Sequence, residues 1–206
     1  MGRNLDMVEL ILVRHGETDS NSKGAYCGWT DVGLNEQGEK QAKNARDKLK
    51  DEKIDGVFSS PLKRAFRTAE IINENFGLEI KRVDALKERN FGVWEDLKYK
   101  EICEKHPEEV KLWEADWVNY CIKGGESAVQ AFNRVNGFVD TLIESNKGAK
   151  LTKLLIVTHL GCIKSIVANL LGMGIEGCWR FKVDNAGITR LVVNDEGYAY
   201  LTMLNG

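Results

Sequence analysis

Proline is almost missing from this 206-residue chain: Pro61 and Pro107 are the only two. There is also no internal repeat, low-complexity tract or Gly/Ser-rich stretch, so nothing marks a linker and one domain spanning 1–206 is expected. No run approaches the roughly 18 apolar residues that suggest a membrane span. Met1 to Val8 alternate polar and apolar instead of leading from a basic start into a hydrophobic stretch, so no signal peptide is read. A cytoplasmic protein without a membrane partner is therefore expected. The five cysteines (Cys27, Cys103, Cys121, Cys162 and Cys178) are odd in number and scattered, with no CxxC and no Cys/His pair at ligand spacing. That excludes a disulfide framework and a zinc cluster and leaves free thiols. Excess charge of one sign is absent as well. Net charge is -2, and the basic residues are interleaved with acids, so no nucleic-acid partner is expected. A composition of 43% hydrophobic and 29% charged residues is that of an ordinary globular protein.

What the chain does have is alternating strand and helix signals. Leu10 to Val13, Gly56 to Ser59 and Leu154 to Thr158 are short apolar runs closed by polar or turn residues, which fits buried strands. Between the first two, Glu36 to Lys53 sets Ala42, Ala45 and Leu49 on one helical face. After the second, Ser60 reads as an N-cap and Pro61 as the first helical residue, with Leu62, Ala65, Phe66, Ala69 and Ile72 continuing the stripe toward Gly77. Ile163 to Leu171 forms a helix after the third strand. Thr189 to Val193 and Tyr198 to Met203, separated by a turn-rich quartet, read as a C-terminal hairpin. The fold class is thus α/β: a three-layer αβα sandwich on a mostly parallel mixed sheet with an antiparallel C-terminal strand pair. Helical spacing over Tyr99 to Lys105 and Val110 to Trp117 adds a helical insertion at about 95–125, lying over one end of the sheet where the active site is expected. Trp94, Trp113 and Trp117 in this region read first as packing residues and only second as pocket lining.

In open α/β sheets ligands collect beyond the carboxyl ends of parallel strands. After the first strand stand Arg14, His15, Gly16, Glu17 and Thr18; after the second, Ser59, Ser60 and Arg64; after the third, His159 and Gly161. Taken singly, each residue has a plainer reading: a strand-end histidine as a structural hydrogen-bonding group, Arg14 as an ion-pair partner, Arg64 as a solvated helix residue. His106, beside Pro107 in a charged stretch, keeps its surface reading. Three strand ends converging is what points to chemistry. Two guanidinium forks and the N-terminus of the helix after His159 suit phosphate oxygens, and a neutral histidine beside them can attack phosphorus.

The segment Leu12-Val13-Arg14-His15-Gly16-Glu17-Thr18, with Asn21 beyond it, resembles the signature of the histidine phosphatase superfamily, the phosphoglycerate mutase-like proteins. Cys27-Gly28-Trp29-Thr30-Asp31, Leu34-Asn35-Glu36-Gln37-Gly38, Ser59-Ser60-Pro61-Leu62-Lys63-Arg64-Ala65, Leu86 to Glu95, Gly124-Gly125-Glu126-Ser127 and Val157-Thr158-His159 follow in family order. The resemblance implies His15 as phosphohistidine nucleophile, Arg14, Arg64, Asn21 and His159 as phosphoryl-binding groups, and Glu88 as general acid and then base. It implies no cofactor and no metal. Leu160 departs from the family, since many relatives have glycine there, and is expected to bear on substrate size.

The implied activity is that of a phosphoric monoester hydrolase acting on a small-molecule phosphate ester. The middle of the chain is similar to α-ribazole phosphatases of cobalamin synthesis and to broad-specificity phosphatases, which makes α-ribazole 5'-phosphate the leading specific substrate. The chain lacks the long insertion and basic tail of the cofactor-dependent phosphoglycerate mutases, which remain the alternative. A non-catalytic phospholigand-binding protein is the alternative of another class. Whether the chain forms a homodimer is left open.

Overall fold

The computed structural model describes residues 7–148 and 151–206. The first six residues of the stretch read for a signal peptide lie outside the described residues.

The apolar runs become the centre of a six-stranded sheet of order β3-β2-β4-β1-β5-β6. Its strands are β1 (Met7–Arg14), β2 (Gly56–Ser59), β3 (Ile80–Arg82), β4 (Thr152–Thr158), β5 (Ile188–Asn194) and β6 (Ala199–Met203). β3, β2, β4 and β1 are mutually parallel, while β5 runs antiparallel to β1 and β6 antiparallel to β5. β1 and β4 lie at the middle, covered on both faces, which is why they read as unbroken aliphatic runs. On one face Leu10, Leu12, Leu154 and Ile156 pack against α6 (Ala128–Glu144) and α7 (Leu160–Leu170). On the other, Ile11, Val13, Leu155 and Val157 pack against α2 (Glu36–Lys48) and α3 (Lys63–Asn73). This is the expected αβα sandwich.

Several boundaries differ from expectation. α2 stops at Lys48 instead of Lys53. Ser60 does not cap α3, which begins at Lys63 with Leu62 as a cap that makes no side-chain bond. The Ser60 hydroxyl accepts from the Leu62 N–H (3.4 Å), ahead of the helix, and also meets the His159 ring (2.8 Å). α7 begins at Leu160, three residues early. The insertion holds α4 (Tyr99–Lys105), as expected, and α5 (Pro107–Ala115), which starts where Pro107 can occupy the first helical turn. Trp94, Ile102, Val110 and Ile122 give this region a small core of its own.

Two α-helices and one strand were not anticipated. α1 (Asp19–Lys23) is a single short turn of helix. β3 is a three-residue edge strand with two exposed positions, so it carries no apolar run. α6, the longest helix described, did carry a signal: Ser127 and Gln130 form a capping box ahead of Phe132, Val135, Val139, Leu142 and Ile143. All five cysteines are unbridged. No helix among the described residues is long and apolar enough to cross a membrane.

Candidate active site

β1 and β4 end side by side, and the His15 N–H donates to the Thr158 carbonyl (2.9 Å), so His15 and His159 emerge as neighbours with ring centroids 5.1 Å apart. Two glycines make the turn after His15 feasible. Gly16 and Gly38 lie where the start of α2 presses on the loop, and a Cβ on either would collide with backbone oxygen.

The two imidazoles are held differently. His15 Nδ1 lies 2.7 Å from the Gly16 carbonyl, which can only accept, so Nδ1 carries the proton and Nε2 keeps its lone pair. His159 Nε2 lies 2.8 Å from the Ser60 hydroxyl, and its Nδ1 is buried with no partner. Burial above all, then the charges of Arg64 and Arg14, hold the His15 imidazole well below its ordinary value of 6.5. His159 is lowered by burial first, then by Arg64, His15 and Arg14. Both rings are therefore neutral at neutral pH.

The guanidiniums are anchored but not neutralised. Arg64 is fully buried and donates to the carbonyls of Thr30 (2.9 Å), Gly28 (2.6 Å) and Cys27 (3.3 Å). The same loop is gripped from its amide side by Glu95, which accepts from Gly28, Trp29 and Thr30. Arg14 donates to the Val183 carbonyl (2.8 Å), and burial pulls its pKa down from the ordinary value. Among the described residues neither arginine forms an ion pair, and the Nε atoms of both are buried without a partner. With His159 Nδ1, three buried side-chain nitrogens from three strand ends lack partners, and the two on arginine are donors. Buried donors are rarely left so.

Glu88 lies against this cluster, 8% exposed. Its carboxylate accepts from the Gly161 N–H in the first turn of α7 (2.9 Å) and from Arg89 N–H (2.9 Å). The helix N-terminus expected to meet phosphate thus meets Glu88 at Gly161, and a side chain at 161 would strike the carboxylate. Asn21 uses Oδ1 to accept from Thr18 N–H (3.1 Å) and from Asn185 (3.3 Å), which orients its amide nitrogen as a donor.

Sequence reasoning missed the 184–187 loop. Asn185 donates to the His15 carbonyl (3.2 Å), and Ala186, at φ 54°, donates to the carbonyls of Arg14 and His15. This loop precedes an antiparallel strand, so it is the start of β5 that meets the carboxyl end of β1. A search confined to parallel strand ends passes it by.

Beside Glu88 opens a pocket of about 300 Å³, lined chiefly by aromatic and apolar residues. Trp94, Trp113 and Trp117 come from the insertion and its approach, and Leu160, Cys178 and Trp179 from the opposite wall. Trp94 and Trp113 pack in the insertion's core, as read, and together with Trp117 they also line this cavity. The indole Nε1 atoms of Trp94 and Trp113 are buried without partners. Leu160 sits in regular helix, so its departure from glycine shapes the pocket and not the backbone.

Fold and site together define an α/β protein whose crevice suits a tetrahedral oxyanion facing a neutral imidazole. Residues 10–206 match the profile of the histidine phosphatase superfamily, branch 1, and the chain belongs to that family. It is 37% identical over 180 residues to phosphoserine phosphatase 1 of Hydrogenobacter thermophilus, covering 87% of this chain and 84% of that one. It is 32% identical to the adenosylcobalamin/alpha-ribazole phosphatase of Escherichia coli over 96% of each chain. The crystal structure of the alpha-ribazole phosphatase from Shigella flexneri superposes with a TM-score of 0.89 at 32% identity, covering 96% of each chain. The protein is a phosphoric monoester hydrolase.

Proposed function

We propose that His15 is the nucleophile of a two-step phosphomonoesterase reaction. The observation that carries this reading is the pair of buried, unpartnered guanidinium donors, Arg14 Nε and Arg64 Nε, with the unpartnered His159 Nδ1, beside an imidazole whose Nδ1 is already committed to Gly16. In the first step the Nε2 lone pair attacks phosphorus, the P–O bond to the alcohol breaks, and Glu88 in its acid form delivers a proton to the departing oxygen. Arg14, Arg64, Asn21 and His159 hold the phosphoryl oxygens as charge shifts onto them. In the second step Glu88, now a carboxylate, takes a proton from water as the water oxygen attacks the phosphohistidine. Phosphate leaves and His15 Nε2 regains its lone pair.

The leaving alcohol is assigned to the aromatic pocket, because Glu88 stands between that pocket and the phosphoryl site. Walls that are mostly aromatic and apolar suit a flat group better than the charged ends of phosphoserine. This favours a ribazole-like monoester, α-ribazole 5'-phosphate first, although phosphoserine phosphatases stand among the relatives. A phosphate-release screen over α-ribazole 5'-phosphate, phosphoserine and 3-phosphoglycerate, with EDTA present, tests the substrate. Conversion of 3- to 2-phosphoglycerate with little phosphate release would establish the mutase alternative. His15→Ala is expected to lower kcat/KM by at least about 10⁴-fold while leaving a folded protein; equal turnover in the variant sinks the nucleophile assignment.

A further inference from the structure

Glu88 is useful as an acid only if its carboxyl faces the leaving oxygen, yet it sits on an irregular segment between a short 3-10 turn and the insertion. What immobilises that segment is Arg134, on the inward face of α6. All five of its N–H donors are engaged. One terminal nitrogen donates to the carbonyls of Ala85 (2.8 Å) and Lys87 (2.9 Å), and the other to the carbonyl of Glu88 itself (3.3 Å) and to Glu126 Oε2 (2.8 Å). Nε donates to Glu126 Oε1 (2.9 Å).

Glu126 completes the bracket from the far side. Its Oε2 accepts from the Asn90 N–H (2.9 Å), and its backbone carbonyl accepts from Arg89 Nε (2.9 Å). The backbone on either side of Glu88 is thus tied to one ion pair, whose side chains are 23% and 19% exposed. We propose that the Arg134–Glu126 pair is a positioning device for Glu88, setting where its carboxyl meets the leaving group. This rests on the assignment of Glu88 as the acid. A planar fork serving three carbonyls and a carboxylate is a task that lysine, with a compact ammonium, cannot reproduce.

A purely structural clamp and a positioning clamp differ in how variants respond to the leaving group. Phenyl phosphate and 2,4-dinitrophenyl phosphate both present an aryl ring, but only the first needs a proton as it departs. kcat/KM isolates this step from the later hydrolysis of the phosphoenzyme. Arg134→Lys is expected to lower kcat/KM for phenyl phosphate by up to about 100-fold. The loss on 2,4-dinitrophenyl phosphate is much smaller, so the ratio of the two shifts by about tenfold or more. Glu88→Gln shows the same selectivity, and Arg134→Lys in the Glu88→Gln background adds no further selective loss.

Equal losses on both substrates, no loss on either, or a selective loss that persists without Glu88 would overturn the proposal. If Arg134→Lys fails to fold, as judged by circular dichroism, Glu126→Gln carries the same comparison. A Glu88→Gln variant without leaving-group selectivity removes the acid assignment itself, which is a different failure from an unselective Arg134 variant beside a selective Glu88 variant.

Discussion

The two ends of the sheet treat charge in opposite ways. At the amino end, Glu9, Glu52, Lys153 and Arg190 form a closed quartet. Lys153 bridges Glu9 (3.2 Å) and Glu52 (2.7 Å), and Arg190 bridges the same two acids (2.9 and 2.7 Å). At the carboxyl end, Arg14 and Arg64 have only backbone carbonyls as partners, and two imidazoles are kept neutral beside them. At the amino end two cations are balanced in charge by two anions, although Arg190 Nε is itself buried without a partner. Two cations without anions make a site whose missing partner is a ligand. The difference lies in partners and not in residue types, since an arginine contributes to both ends.

The sharpest way to break this comparison is to remove one arginine from each end. Arg14→Met is expected to lower kcat/KM by about 10²–10³-fold, the usual cost of one transition-state donor, with little change in melting temperature. Arg190→Met leaves Glu9 and Glu52 with Lys153 alone. It is expected to lower stability by about 2–3 kcal/mol, between the values for exposed and fully buried pairs, with kcat/KM unchanged. Steady-state kinetics and urea denaturation on both variants check this. If Arg14→Met is as destabilising as Arg190→Met and no less active, the distinction between the ends collapses.

How far the sequence revealed these ends follows from what each depends on. Arg14, His15, Arg64 and His159 were legible because strand order and the rule of carboxyl ends place them together without side-chain detail. Glu88 was reached only by family resemblance, since its approach to α7 runs through an irregular segment that no periodicity predicts. Arg134 and Asn185 were invisible for a related reason: both serve the site through backbone carbonyls, which leave no mark on residue type. The amino-end quartet was hidden because Glu9, Glu52, Lys153 and Arg190 are far apart along the chain and join only through strand register. The Ser60 cap was misread for the converse reason: its local signal was real, but the hydroxyl accepts from the Leu62 N–H ahead of the helix and is shared with the His159 ring.

A second prediction sharpens the comparison by supplying the missing anion. Orthovanadate or inorganic phosphate is expected to bind the folded site and not the unfolded chain, and at a hundred times its dissociation constant to add about 2.7 kcal/mol of stability. Thermal denaturation with increasing vanadate measures the gain. Arg190→Met should keep the full gain at matched saturation, whereas Arg14→Met should need far more ligand to reach it. Equal vanadate dependence in both variants would mean that the ion binds elsewhere.

The smallest effect separates the ends by pH. His15 and His159 have folded pKa values well below 6.5, so in the unfolded chain each takes up a proton near pH 6.5 that it refuses when folded. Between 6.5 and the folded values the unfolded state binds more protons, so stability falls as pH falls, by at most about 1.4 kcal/mol per pH unit for each histidine. At the other end, hydrogen bonding to Lys153 holds Glu52 below its ordinary 4.5, so its contribution is present above 4.5 and is lost as pH drops below that value. The two losses occupy different windows. Urea midpoints of the phosphate-free protein should decline from pH 6.5 downward, above the window in which Glu52 loses its contribution. A His15→Gln/His159→Gln variant should flatten that upper decline, because it removes the two imidazoles that burial and the arginines keep unprotonated. Arg190→Met should leave the upper decline intact and change only the lower one. Flat midpoints between pH 7 and 5.5 in the wild type would mean that both imidazoles take up protons in the folded crevice as readily as in the unfolded chain, and the strong lowering of their pKa values would have to be abandoned.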